Sequence, residues 1–300
     1  MNIPNENSGT TDRLEANFDR GLKENGIKLP DKPVAVIEPR RNLLNIYELW
    51  QYRDLLYILT LKDIKVRYKQ TILGVVWVIL QPLLMMVAFT LFFGKLAKIP
   101  SDGIPYPLFA YAGLLPWTFF VNALNTSSNS LVGNSALITK VYFPRMIIPL
   151  SAVCAGLFDY LIAFVMLILL MIFYGVGFQW TFLALPFLTL LIALWTISLG
   201  MWTAALNVKF RDVRYALPFF IQLLLFVTPI IYPLNFISEQ WHWFLMVNPL
   251  TGIIEGYRSA IFGKPFNLTA LFVSIFINTI VFLYSIYTFR QSERSFADII

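Results

Sequence analysis

Side chains able to do chemistry are few in this sequence, and they are scattered. There is one histidine, His242, between Trp241 and Trp243, and one cysteine, Cys154, inside an apolar run. A protein metal site takes several His, Cys or carboxylate ligands, and a disulfide takes two cysteines, so neither is expected. Two acids stand in apolar surroundings, Asp159 and Glu255. An ionisable group at membrane depth is costly and needs a partner. Arg258 follows Glu255 by three residues, so one helical face brings the two together, and Asp159 is expected to bond a neighbouring helix. A G-x-x-x-x-G-K-[ST] phosphate loop is absent, since Gly94-Lys95-Leu96 and Gly263-Lys264-Pro265 lack both the hydroxyl and the upstream glycine. No D-x-D pair suited to glycosyl transfer occurs, and no internal Asp/Glu/His series suited to a proton relay. The expectation is a chain that is not an enzyme, holds no cofactor and takes its energy from elsewhere.

The elements that must position these few groups are apolar helices. Of the 300 residues, 58% are hydrophobic and 13% charged, about half the charge of a soluble domain. Charge is missing altogether from Gln70–Gly94, Gly103–Thr139, Tyr160–Val208, Tyr215–Ser238 and Pro265–Phe289. A helix crosses the hydrocarbon in roughly 20 residues. These lengths predict six spans, near Val75–Phe93, Tyr106–Leu124, Ile147–Tyr174, Phe182–Leu206, Ala216–Leu234 and Leu268–Phe289, in an all-α membrane protein. Basic residues concentrate on the side that holds Lys62, Lys65, Lys69, Lys140, Arg145, Arg211 and Arg294; the other side has Lys95, Lys98, Arg258 and Lys264. By the positive-inside rule both termini are cytoplasmic. The bias also accounts for the net charge of +6, so no nucleic-acid partner is required.

Three domains follow: a polar, proline-containing cytosolic tail over 1–45 with no cleavable signal at its start, an amphipathic helix over 46–70, and a permease domain over 71–300. In the helix, Leu49, Tyr52, Leu56 and Leu59 form one stripe and Lys62, Lys65 and Lys69 a basic face, as in a helix lying on a membrane surface. Between the last two spans, Asn235–Asn267 holds two apolar pieces broken by Asn248-Pro249, each too short to cross. Such pieces fit a re-entrant pair or an interfacial loop anchored by Trp241 and Trp243.

Four segments in order resemble the polysaccharide-exporting permeases of the type-two ATP-binding-cassette group, which move O-antigen, capsule or teichoic acid polymers across bacterial inner membranes. They are Arg67-Tyr68-Lys69-Gln70-Thr71 with Leu73-Gly74, Trp77 and Leu80-Gln81-Pro82-Leu83; Asn134 to Ile138 with Lys140, Phe143-Pro144-Arg145 and Ile148-Pro149-Leu150; Asn207-Val208 with Arg211-Asp212, Thr228-Pro229-Ile230 and Tyr232-Pro233; and Asn248-Pro249-Leu250 with Glu255-Gly256-Tyr257-Arg258. The resemblance covers about Tyr52 to Arg290. It implies a homodimer with two copies of an ATPase subunit that carries ATP and Mg, and a lipid-linked polysaccharide as cargo among membrane lipids. It also assigns the amphipathic helix as an interface helix, Thr126–Val141 as the coupling helix, and Asn235–Asn267 as a re-entrant closure of the external mouth.

On that reading the ATPase-coupling residues are Leu131, Leu137, Ile138, Lys140, Val141 and Arg145. The coupling helix is expected to begin after the cap-forming cluster Asn125–Asn129 and to end before Pro144. The external gate region comprises Trp241, Trp243, Asn248, Pro249, Glu255 and Arg258. Sugar rings present apolar faces that stack on aromatics, and weak repeated contacts suit a sliding polymer. Trp77, Trp117, Phe119, Phe120, Trp195, Trp202, Phe226 and Tyr232 are the candidates for such a path. Export of a drug or small lipid, and a membrane-bound glycosyl- or acyltransferase, are the competing functions.

Overall fold

The computed structural model describes residues 46–69, 74–293 and 296; the expected tail 1–45, the motif residues Gln70, Thr71 and Leu73, and Arg294 lie outside them. Every regular element among the described residues is helical. In chain order these are α1 (Ile46–Gln51), α2 (Arg53–Lys69), α3 (Val75–Phe89, continued by a π turn over Thr90–Leu96), α4 (Tyr106–Gly133) and α5 (Ser135–Lys140). They are followed by α6 (Ile147–Phe173), α7 (Leu185–Lys209, led in by a 3-10 turn over Trp180–Ala184), α8 (Val213–Val227), α9 (His242–Met246), α10 (Pro249–Phe262) and α11 (Leu268–Glu293). Proline opens several of them. Pro107, Pro186 and Pro249 sit in first turns, where the missing N–H would have no helical partner anyway.

Five helices are long and apolar enough to cross a membrane: α3 with its π turn, α4, α6, α7 with its lead-in, and α11. The protein is a multi-pass, all-α membrane protein. The expected fifth span is shorter than its apolar stretch. Pro229 disfavours a helical Thr228, which is extended at φ −87°, ψ 133°, and α8 stops after 15 residues. That is about 22 Å of helix, short of a hydrocarbon core of about 30 Å.

The central post is α4, the most deeply buried of the five long helices. It packs on α6 and α7, and α7 in turn holds α11. Small residues permit these approaches. A side chain at Gly200 would strike Ser127, and one at Gly252 would strike Ser274 and the backbone of Ala270. Polar groups cross between helices as well: Tyr111 donates to the carbonyl of Ala163 at 2.9 Å, Asn207 to that of Ser128 at 3.0 Å and Asn278 to that of Leu191 at 2.9 Å. Bonds of this kind hold membrane helices at roughly 0.6 kcal/mol each. By contrast α3 is mostly exposed, and Ile221 is the one buried residue of α8.

Two departures from the sequence expectations affect the coupling region. The Asn125–Asn129 cluster does not cap a new helix but lies within α4, where Thr126 bonds back to the carbonyl of Asn122 and Asn129 to that of Asn125. The separate short helix is α5, and it starts after Asn134. In the loop after α8, only the second apolar piece forms a substantial helix, α10, and it is almost wholly buried. The first piece makes two 3-10 turns and the five-residue α9, with Trp241 and Trp243 exposed.

Candidate functional site

A half-open cavity of about 310 Å³ lies among α2, α3, α4 and α6. Trp77, Phe119 and Tyr160 contribute rings to its wall, Gln81, Asn122 and Asn125 contribute amides, and Thr118 and Thr126 contribute hydroxyls. Residues 118, 122, 125, 126 and 129 recur at helical spacing, so they share one face of α4. Asn122 is exposed there and Thr118, Asn125, Thr126 and Asn129 are half-buried, while Leu114, Ala123, Leu124, Ser127 and Ser128 on the other faces are buried. Amides exposed on a membrane helix belong against water or protein, since lipid offers them no partner.

At one edge of the cavity the Asp159 carboxylate accepts from the Arg67 guanidinium and from the Tyr68 hydroxyl. The expected neighbour of Asp159 is therefore α2, whose last turn it fixes. The rest of α2 lies on α6, with Leu55 and Leu56 half-buried and Leu59 buried in the cluster that holds Ile147 and Ile148. Tyr57, Ile58 and Val66 remain exposed. Two polar residues extend the docked stripe. Lys62 donates to Asn134 at 2.6 Å, at the junction of α4 and α5. Burial pushes the Asp63 carboxyl above the ordinary carboxylate range, opposed by the charges of Lys62 and Arg67 and by a hydrogen bond from Ser151.

Tyr160 connects the cavity to the far end of the bundle. Its hydroxyl lies 3.1 Å from Tyr257 on α10 and 3.1 Å from Thr189 on α7, and those two are 2.7 Å apart. Beside Tyr257, Arg258 is buried, donates to the carbonyls of Pro229 and Ile230, and pairs with Glu255 at 3.0 Å. The expected Glu255–Arg258 pair forms. Tyr106 takes the carbonyl of Ile231 at 2.8 Å, and Asn248 joins the break to α10 by donating to Thr228 at 2.9 Å while capping Leu250. His242 is occupied locally, 2.9 Å from the carbonyl of Ile237.

The structure divides the sequence candidates. Trp77 and Phe119 meet in the cavity. Trp117, Phe120 and Trp195 are buried in the core, so as placed here they line no path. Trp202 and Tyr232 are half-buried and Phe226 is exposed at the end of α8. Of the coupling candidates, Leu131 and Ile138 are buried beneath α5 with Phe143, Met146 and Phe289. Arg145 is held by Glu293 at the end of α11. Lys140 and Val141, with Tyr142, are exposed. The amide stripe on α4 is not among the residues that ring chemistry singles out; the helical spacing of Thr118, Asn122, Asn125 and Asn129 is its signal in the sequence.

The ABC-2 type transporter family matches residues 54–262 of the chain. The O-antigen export system permease protein RfbA of Klebsiella pneumoniae is 31% identical over 259 residues, covering 85% of this chain and 98% of its own. The protein of that name from Myxococcus xanthus is 29% identical over 252 residues, with coverages of 83% and 96%. The polysialic acid transport protein KpsM of Escherichia coli is 27% identical over 232 residues, with coverages of 73% and 88%. A match over most of an all-helical chain built around a polar-faced central helix places the protein in a family: it belongs to the ABC-2 type transporters.

Proposed function

We propose that this chain is the membrane subunit of an ATP-driven exporter that moves lipid-linked polysaccharide from the cytoplasm across the bacterial inner membrane. The observation that carries the reading is the amide and hydroxyl stripe on α4, open in the protomer on a helix long and apolar enough to cross a membrane. Such a face suits hydrated sugar better than lipid, and the export permeases named above are relatives along nearly their whole length. The chain itself is non-catalytic on this reading. ATP and Mg sit on two ATPase subunits, which dock against exposed Lys140, Val141 and Tyr142 beside α5. Two copies of the chain pair through the apolar faces that α3 and α8 leave uncovered, and both termini are cytoplasmic. The test is complementation of a strain lacking the gene. Wild type restores surface glycan, while the double substitution Asn122→Leu, Asn125→Leu assembles and leaves the glycan inside. Full export by that double variant, or no glycan defect in the deletion strain, overturns the reading.

A further inference from the structure

We infer that the cavity takes uncharged sugar units, so that the glycan this chain exports is a neutral polysaccharide rather than an acidic one. The inference rests on the exporter reading above and adds the chemical class of the cargo. It starts from the charges on the cavity wall. Among the described residues that line it, Arg67 and Asp159 carry the formal charges. They are paired with each other, and Tyr68 places a second donor on the same carboxylate. The other walls add none: 70–94 and 103–139 hold no Asp, Glu, Lys or Arg, and Asp159 is the one charged residue of α6, while Lys65 and Lys69 on either side of Arg67 are exposed and do not line the cavity.

What the wall offers instead is neutral and two-sided. The amides of Gln81, Asn122 and Asn125 both donate and accept. A sugar hydroxyl also does both, so each contact can form in either direction. A carboxylate only accepts. It would use half of each amide, face the fixed negative charge of Asp159, and find the nearest cation already committed. Taking such a group from water without a counter-charge is strongly unfavourable, and an acidic polymer would repeat that cost at every charged unit. The rings of Trp77, Phe119 and Tyr160 add stacking surfaces that need no charge. The cavity volume lies at the small end for ligand sites, enough for a short piece of a polymer.

The experiment uses the full-length chain in lipid nanodiscs and saturation-transfer NMR. The probes are neutral oligomers of glucose, galactose, mannose and rhamnose, and acidic oligomers of sialic and glucuronic acid. At least one neutral oligomer should bind, with an affinity insensitive to ionic strength and lost in Trp77→Ala, Asn122→Ala. Acidic oligomers should not bind the wild type. Asp159→Asn removes the fixed negative charge from the cavity edge and should raise acidic binding roughly tenfold, the scale of one hydrogen bond to a charged group, in a salt-sensitive way. If that variant fails to fold, the wild-type panel decides alone. Acidic binding by the wild type equal to neutral binding, or no neutral binding at all, overturns the inference. Analysis of the deletion strain separates the two readings. Loss of an acidic surface glycan leaves the exporter standing and removes the neutral assignment; loss of no glycan removes the exporter.

Discussion

The guanidinium of Arg258 donates to the carbonyl of Ile230 at 2.6 Å, across the break that follows α8. It also donates to Pro229 at 2.7 Å and lies 3.7 Å above the ring of Phe109. One side chain of α10 therefore collects carbonyls of the non-helical segment after α8, where no helix supplies donors. Arg258→Gln removes the charge and leaves Glu255 without its partner. Breaking a buried pair from one side costs about 3–5 kcal/mol. We expect a large drop in thermal stability and leak of small ions through proteoliposomes. Arg258→Lys should not restore either, because one ammonium cannot span the separated carbonyls as a planar fork does. A Lys variant with wild-type stability and tightness would refute this role for Arg258.

Close approach of α10 to α11 gives a second test. A Cβ on Gly252 would fall 2.7 Å from the carbonyl carbon of Ala270, and backbone cannot step aside. Gly252→Val should destabilise by about 1–3 kcal/mol or more, read as a lower unfolding temperature. Gly133, at the end of α4, has nothing within 4 Å of its Cβ position. Gly133→Ala should be neutral or stabilising by about 0.5–1 kcal/mol. Equal damage at both positions would contradict the packing argument.

The ATPase contact is testable by exposure. Val141 is 53% exposed and Ile138 is 4% exposed. Val141→Asp should leave the amount of membrane protein unchanged and reduce co-purification of the ATPase subunit. Ile138→Asp should lower the amount of folded protein instead, because it buries an unpaired charge among Leu131, Phe143 and Phe289. Undiminished co-purification with Val141→Asp would move the contact elsewhere.

Docking of α2 should depend on pH through Asp63. Burial raises its folded-state pKa above the ordinary carboxylate range, so the folded state holds this proton more tightly than the unfolded chain. The sign follows: Asp63 costs least below its ordinary range, and its ionisation weakens the fold as pH rises toward and through the raised value. Thermal stability measured from about pH 4 upward, across the range of that raised pKa, should fall for wild type relative to Asp63→Asn. A difference that stays constant with pH would show that Asp63 does not titrate in this window.

Much of the bundle was legible from charge-free length alone, which fixed α3, α6, α7 and α11 to within a few residues; α4 starts at Tyr106 as expected but runs on past Leu124 to Gly133. The early end of α8 was also written in the sequence, at Thr228-Pro229, but a continuous apolar stretch hid it. The Asn125–Asn129 cluster misled for a different reason. These residues cap helices in water, whereas here their side chains bond back along α4 and outward to α7, as Asn207 does at 3.2 Å from Asn129. The partner of Asp159 could not be read, because the contact with Arg67 joins residues far apart in the chain and depends on how α2 lies on α6. Which aromatics are core was equally a matter of tertiary packing, since Trp117 and Trp77 look alike in sequence and differ only in what covers them.

The polar face and deep burial of α4 bear on how the chain is made. Of the five long helices it is the least apolar, and its amides and hydroxyls raise the cost of transfer into lipid by itself. It emerges from the ribosome before α6 and α7, the two helices that cover it. Its stable residence in the bilayer is favoured once those later segments arrive, so synthesis halted within α6 should leave α4 retained at the insertion machinery or slipped back into water, while α3 is already integrated.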